Sequence, residues 1–129
     1  MTQKEMKERT KRFALRIINL VDALPHSTSA QIIGKQLLRS GTSVGANYRA
    51  VCRAKSTADF ISKLSIVEEE TGESIYWMEL LVDSKLIGLG RLADLIDEAN
   101  QILAIIVSSI ETSKQKRNPK SAIPNPKSK

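Results

Sequence analysis

The chain has little of what catalysis and covalent cross-linking need. A single cysteine, Cys52, excludes an intrachain disulfide, and a single histidine, His26, sits beside Pro25 where a loop residue is expected. A di-metal helical bundle takes a Glu followed three residues later by a His on each of two helices, which one histidine cannot supply. No Gly-rich loop followed by Lys-Ser or Lys-Thr is present to cradle phosphates. Cys52 has only His26 to activate it and reads as a packed thiol. Neither a metal, a cofactor nor catalytic residues are therefore expected, and an enzyme is not. Aromatics are scarce too, 4% against 41% hydrophobic residues, so the core must be built from Leu, Ile, Val and Ala. That favours helices packed on helices over an aromatic-rich sandwich. No stretch approaches the roughly 20 apolar residues of a membrane span, and no apolar run precedes Phe13. The expectation is a cytoplasmic protein without a membrane partner, of one domain, since 129 residues can bury a core unaided.

What is present is helical spacing. Met6, Phe13, Ile17, Leu20, Val21 and Leu24 predict a first helix over about 4–24, stopped by Pro25. Thr28 and Gln31 have the spacing of a capping box and predict the start of a second helix. Its stripe is Ile33, Leu37, Val44, Tyr48 and Val51, and its end falls near Ala54. Ser56 and Asp59 repeat the capping spacing. Phe60, Leu64, Val67, Thr71, Ile75, Met78 and Val82 then predict a third helix to about Leu86, with Gly88 and Gly90 as its stop. Leu92, Leu95, Ile96, Ala99, Leu103, Ile106 and Ile110 predict a fourth. The fold expected is all-α, an antiparallel up-down four-helix bundle over residues 1–117. Residues 118–129, rich in Pro and Lys, read as a disordered basic tail.

Two features are less ordinary. Within Arg39–Arg49 the second helix carries Gly41 and Gly45 one turn apart among other small residues, at about 1 kcal/mol per Gly in helix propensity. Packing must compensate: the default is a tight helix crossing inside one bundle, and the alternatives are a subunit contact or a ligand-facing surface. The second feature is charge. Residues 1–63 hold 12 Lys and Arg against 4 Asp and Glu, residues 64–113 hold 2 against 10, and the remainder 6 against none. Either the halves attract each other within the fold or the basic half meets a polyanion. Lys35, Arg39, Arg49 and Arg53 share one side of the second helix as a basic ridge. Lys11, Arg12 and Arg16 lie in a first helix crowded with cations where the macrodipole disfavours them. These seven are the candidate nucleic-acid-binding residues. On the third helix Glu70, Glu73 and Trp77 share a flank, either salt-bridged to Arg39 or Arg49 or forming a subunit contact.

At Gln36–Arg49, then Asp59-Phe60-Ile61 and Lys63-Leu64, then Glu73 to Trp77, the chain resembles the four-helix-bundle family encoded in 23S rRNA intervening sequences. The accessory variability determinant of diversity-generating retroelements is similar to members of the same family. The resemblance covers the four helices and leaves out the tail. It implies an up-down-up-down bundle assembled into a homopentameric ring or barrel with a basic surface and, in retroelement members, a role in binding nucleic acid and a reverse transcriptase. Arg39 and Arg49 match the family's arginines, and Glu70, Glu73 and Trp77 its acidic and aromatic positions. Ala50 stands where many members carry Glu, so any contact made through that acid is missing. Two functions follow as expectations. One is an oligomeric accessory protein that binds RNA or DNA, mostly by its backbone because stacking aromatics are scarce. The other is a non-catalytic interaction scaffold whose charges serve self-assembly.

Overall fold

Residues 1–117 are described by the structure, a computed structural model. The tail expectation for residues 118–129 lies outside them. Four helices, α1 (Gln3–Asp22), α2 (Thr28–Val51), α3 (Thr57–Asp83) and α4 (Leu89–Arg117), are joined by connections of five residues each, short enough to force antiparallel neighbours. Going round the bundle, α1 packs on α2, α2 on α3 and α3 on α4. The ring closes with α4 against α1, the slightest of the four contacts.

Local chemistry sets each helix start. Thr2 and Glu5 form a full capping box, the Glu5 amide donating to Thr2 Oγ1 at 3.1 Å and the Thr2 amide to the Glu5 carboxylate at 2.8 Å. The cap of α2 is Ser27, not Thr28: Ser27 Oγ accepts from the Ala30 amide, while the Gln31 side chain turns back to the His26 carbonyl. Ser27–Ala30 offers the same three-residue spacing one position earlier, and the extended backbone at Ser27 selects it. Ser56 caps α3 as its spacing predicts, with its hydroxyl accepting from the Asp59 amide.

The stop of α3 differs from expectation. Gly88 and Gly90 do not provide it, since no glycine among the described residues has a positive φ. Lys85 takes the left-handed conformation instead, at φ 63°. Its amide donates to the Val82 carbonyl and the Leu86 amide to the Leu81 carbonyl, the two bonds of a Schellman motif. The turn is needed two residues past Asp83, and both glycines come too late. The α1 and α2 ends fall at Asp22 and Val51 rather than 24 and 54, the chain leaving α1 two residues before Leu24 buries itself.

Met6, Phe13, Ile17 and Leu20 of α1 meet Leu37, Val44, Tyr48 and Val51 of α2, Leu64, Val67 and Met78 of α3, and Leu92, Ala99, Ile106 and Ile110 of α4. The buried stripe of α3 differs from the one its apolar spacing predicts. Ile61, Ser74 and Leu81 are buried, whereas Phe60, Ile75 and Val82 are half-buried at its margin. On α4, Ile102 is buried, and Ile96 and Leu103 are only partly so. At Ser74 the difference has a polar cause. Ser74 Oγ lies 2.9 Å from both Ser40 Oγ and the Glu70 carbonyl, and Ser40 Oγ reaches the Leu37 carbonyl at 3.3 Å, so both buried hydroxyls are satisfied. Buried Thr10 and Thr71 likewise donate to carbonyls one turn earlier, Met6 and Val67.

The α1–α2 contact is made over glycines. A methyl group added at Gly41 would lie 2.9 Å from two carbons of Ile17, and one at Gly45 would lie 3.3 Å from Thr10 Oγ1 and 3.4 Å from its carbonyl. Gly34 faces Leu24 and Val21 in the same way. Gly72 of α3, by contrast, faces open space. Gly41→Ala is expected to destabilise the bundle by about 1–3 kcal/mol, because the buried, β-branched Ile17 has nowhere to go. Gly72→Ala should stabilise by about 1 kcal/mol through helix propensity alone. Thermal or urea melts of the two variants check this, and equal shifts would contradict the close crossing. Lys85→Gly should also raise stability, by about 1 kcal/mol, since glycine removes the strain of the left-handed turn. A lower melting point there would argue against that turn.

Candidate nucleic-acid interface

The glycine contacts fix how α1 and α2 lie. With Gly45 at Thr10 and Gly41 at Ile17, the N-terminal half of α1 runs beside the C-terminal half of α2. The α2-facing margin of α1 is marked by Thr10, Ile17 and Val21, and at 100° per residue Lys7 and Lys11 fall just outside that margin, with Lys4 beyond. All three are exposed. Arg49 is exposed on the neighbouring outer face of α2 at the same level, and Arg53 is exposed in the turn just past the helix end at Val51. Lys4, Lys7, Lys11 and Arg49 therefore form one basic face across two helices, with Arg53 added from the turn that follows α2. Among the described residues no carboxylate stands within ion-pairing distance of any of them.

The other candidates are placed elsewhere. Lys35 is exposed on the same side of α2, but 14 residues from Arg49, about 21 Å along the axis. Arg39 spans from α2 to α3: Nη1 lies 3.2 Å from Glu70 and Nη2 2.5 Å from Glu73. That bridge is solvent-exposed and worth at most about 1 kcal/mol, yet it occupies the fork that a phosphate would need. Of the two arginines expected near these acids, Arg39 makes the pair and Arg49 does not. Arg12 and Arg16 sit on the opposite flank of α1, toward α4. The seven candidates thus separate into a cluster holding Lys11, Arg49 and Arg53, an isolated Lys35, a paired Arg39, and a second cluster holding Arg12 and Arg16.

Trp77 is half-buried on the α2-facing side of α3, its indole nitrogen enclosed without a hydrogen-bond partner among the described residues. Tyr76 stacks edge-on against it at 5.1 Å and is itself exposed, as are Ile66 and Ile32. Cys52 is half-buried at the end of α2 and packs against the core. One turn earlier, the Tyr48 hydroxyl is pushed up to about 12 by burial and then by Cys52. No helix among the described residues is long and apolar enough to cross a membrane.

A clasp that sequence reasoning missed joins α1 to α4. The Arg9 guanidinium grips Glu98 with two bonds, Nε to Oε2 at 2.6 Å and Nη2 to Oε1 at 2.9 Å, and also reaches Gln101 at 2.8 Å. Arg9 and Glu98 are 89 positions apart and each is one of many charged residues on its helix, so nothing local pairs them. The Arg9 bond, opposed by partial burial, holds the Glu98 carboxyl below its ordinary 4.5. A depressed folded-state value means that Glu98 adds stability above about pH 4.5 and loses it as pH falls through that depressed value. Glu98→Gln should cost about 1–2 kcal/mol at neutral pH and less in acid. Melts at pH 7 and pH 3 check this, a constant difference being the contrary result.

The model of the 23S rRNA-intervening sequence protein family matches residues 2–108. A crystal structure of a protein of unknown function from the S23 ribosomal protein family of Bacteroides thetaiotaomicron is similar at 38% identity, with a TM-score of 0.76 over 81% of this chain and 97% of that one. No curated protein matches. The four-helix bundle, the matched span and this structural relative agree, and the chain belongs to the 23S rRNA-intervening sequence protein family.

Proposed function

We propose that this protein is an oligomeric accessory factor that binds the phosphate backbone of RNA or DNA through the basic face formed by α1 and α2. One observation carries the reading: Lys4, Lys7, Lys11, Arg49 and Arg53 converge on one exposed face with no carboxylate near enough to pair with them among the described residues. Five like charges on two packed helices and the turn after the second repel one another, and a polyanion relieves that repulsion. The face offers no exposed aromatic ring for stacking, so binding is to backbone rather than base. In this reading the protein is not an enzyme and works in the cytoplasm. The resemblance to the retroelement accessory determinant extends the proposal to a reverse transcriptase as the enzyme assisted and to a pentamer as the assembly. A scaffold without nucleic acid is the second reading, favoured by the exposed Tyr76 stacked edge-on against the half-buried Trp77 of α3, an aromatic pair suited to a subunit contact.

The variant Lys11→Ala/Arg49→Ala/Arg53→Ala separates the two. If the face binds phosphates, the slope of log affinity against log salt should become shallower by about 0.9 for each duplex phosphate that the variant no longer neutralises, with weaker binding to all sequences alike. Fluorescence anisotropy on duplex DNA and on RNA across a salt series reads this, after circular dichroism has shown the helicity unchanged. Wild-type slope and affinity in the variant would remove the face from any nucleic-acid role. Light scattering should return five times the 14.3 kDa chain mass. A monomer would refute the assembly.

A further inference from the structure

We propose that the seam between α1 and α4 is a docking groove for an acidic amphipathic helix of a partner protein, a role independent of the nucleic-acid reading. The two helices touch least of any neighbours in the bundle, and a cavity of about 540 Å³ opens between them, lined by Met1, Arg9, Arg12, Phe13, Arg16 and Glu98. It continues past Arg16 into a second of about 270 Å³, lined also by Asn19, Leu20, Arg91 and Leu95.

Every cationic side chain lining this groove is an arginine, while the opposite flank of α1 carries Lys4, Lys7 and Lys11. The two residues are not equivalent. A guanidinium is planar, weakly hydrated and forked to take a carboxylate with two bonds, and arginine is enriched at protein interfaces where lysine is depleted. Arg9 is already held by Glu98 and Gln101. Arg12, Arg16 and Arg91 are exposed, and among the described residues none has a carboxylate within ion-pairing distance. Glu98 is the one carboxylate among the lining residues, it is already clasped by Arg9, and it feels Arg16 and Arg12 only through space, so three guanidiniums are left to bond acids from outside.

The shape selects a helix. Both walls are helices whose backbone groups are internally bonded, so no sheet edge is present for an extended peptide to join. Arg12 and Arg16 lie one turn apart, matching carboxylates four residues apart on an incoming helix. Phe13, Leu20 and Leu95 lie beneath the arginines and are almost wholly covered already, so the apolar side chains of that helix would meet mainly the aliphatic stems of the arginines. From Arg9 to Asn19 the groove runs about 15 Å, close to three helical turns.

The test uses alanine-based synthetic peptides of four turns, with two Glu four residues apart flanking a Leu, and counterparts with Gln for Glu or with a central Pro. Anisotropy should show the acidic helix binding the wild-type protein, and both counterparts losing about tenfold or more. Arg12→Glu/Arg16→Glu should lose binding to the same extent, and Lys7→Glu/Lys11→Glu should keep it. Should the charge reversal fail to fold, Arg12→Gln/Arg16→Gln is expected to show the same order of loss. Equal binding to all variants, or none at a concentration on the order of millimolar, overturns the proposal. So does a loss of RNA or duplex DNA affinity in Arg12→Glu/Arg16→Glu with peptide binding intact, which would assign the seam to nucleic acid. A fall in assembly mass in that variant would likewise overturn it, by making a second copy of the chain the occupant.

Discussion

The close crossing of α1 and α2 governs the arrangement of the bundle and of its surface charge. Ile17 lies against the bare Cα of Gly41, and Thr10 against Gly45, so the two helix backbones approach nearer than any larger residue would allow. Dispersion falls steeply with separation, and contact of this kind offsets the roughly 1 kcal/mol that each glycine forfeits in helix propensity. The crossing also fixes register. Because Gly34, Gly41 and Gly45 repeat on one side of α2, α1 cannot slide or turn without driving a side chain into a backbone.

Register then distributes the charge. With α1 fixed on α2, one flank of α1 brings its lysines beside Arg49 and Arg53, and the other brings Arg9, Arg12 and Arg16 to α4. One helix thus contributes to two basic surfaces of different chemistry. The imbalance between the basic first half and the acidic second half is resolved only in part within the fold. Arg9 with Glu98 and Arg39 with Glu70 and Glu73 join the halves across two helix interfaces. Among the described residues, most of the remaining cations of α1 and α2 stay unpaired and face outward, which is why both functional proposals concern anionic partners.

Much was legible in the residues themselves. The scarcity of aromatics, the recurrence of apolar residues at helical spacing and the short connections determined four antiparallel helices. The small residues at Gly41 and Gly45 announced a close contact, though not with which helix. Ser56 announced the start of α3 because its cap is local, a matter of three residues. Where local rules allowed two answers, as at Ser27 and Thr28, or where a left-handed turn fell on a lysine with no glycine to mark it, spacing alone chose wrongly.

Only the tertiary structure decided the rest. Ser74 falls outside the apolar stripe that the spacing of α3 marks, yet it is buried because Ser40, on another helix, meets its hydroxyl. Arg39 and Arg49 look alike along the chain, but Arg39 reaches the two carboxylates of α3, whereas Arg49 has no carboxylate within ion-pairing distance among the described residues. Lys11 and Arg12 are adjacent in the chain and end on different surfaces, since one residue is a rotation of about 100° on a helix. The chain's own periodicity determined which residues share a face. Which face meets which neighbour depends on the packing of helix against helix, where the partners are tens of residues apart and only their shapes and charges select one another.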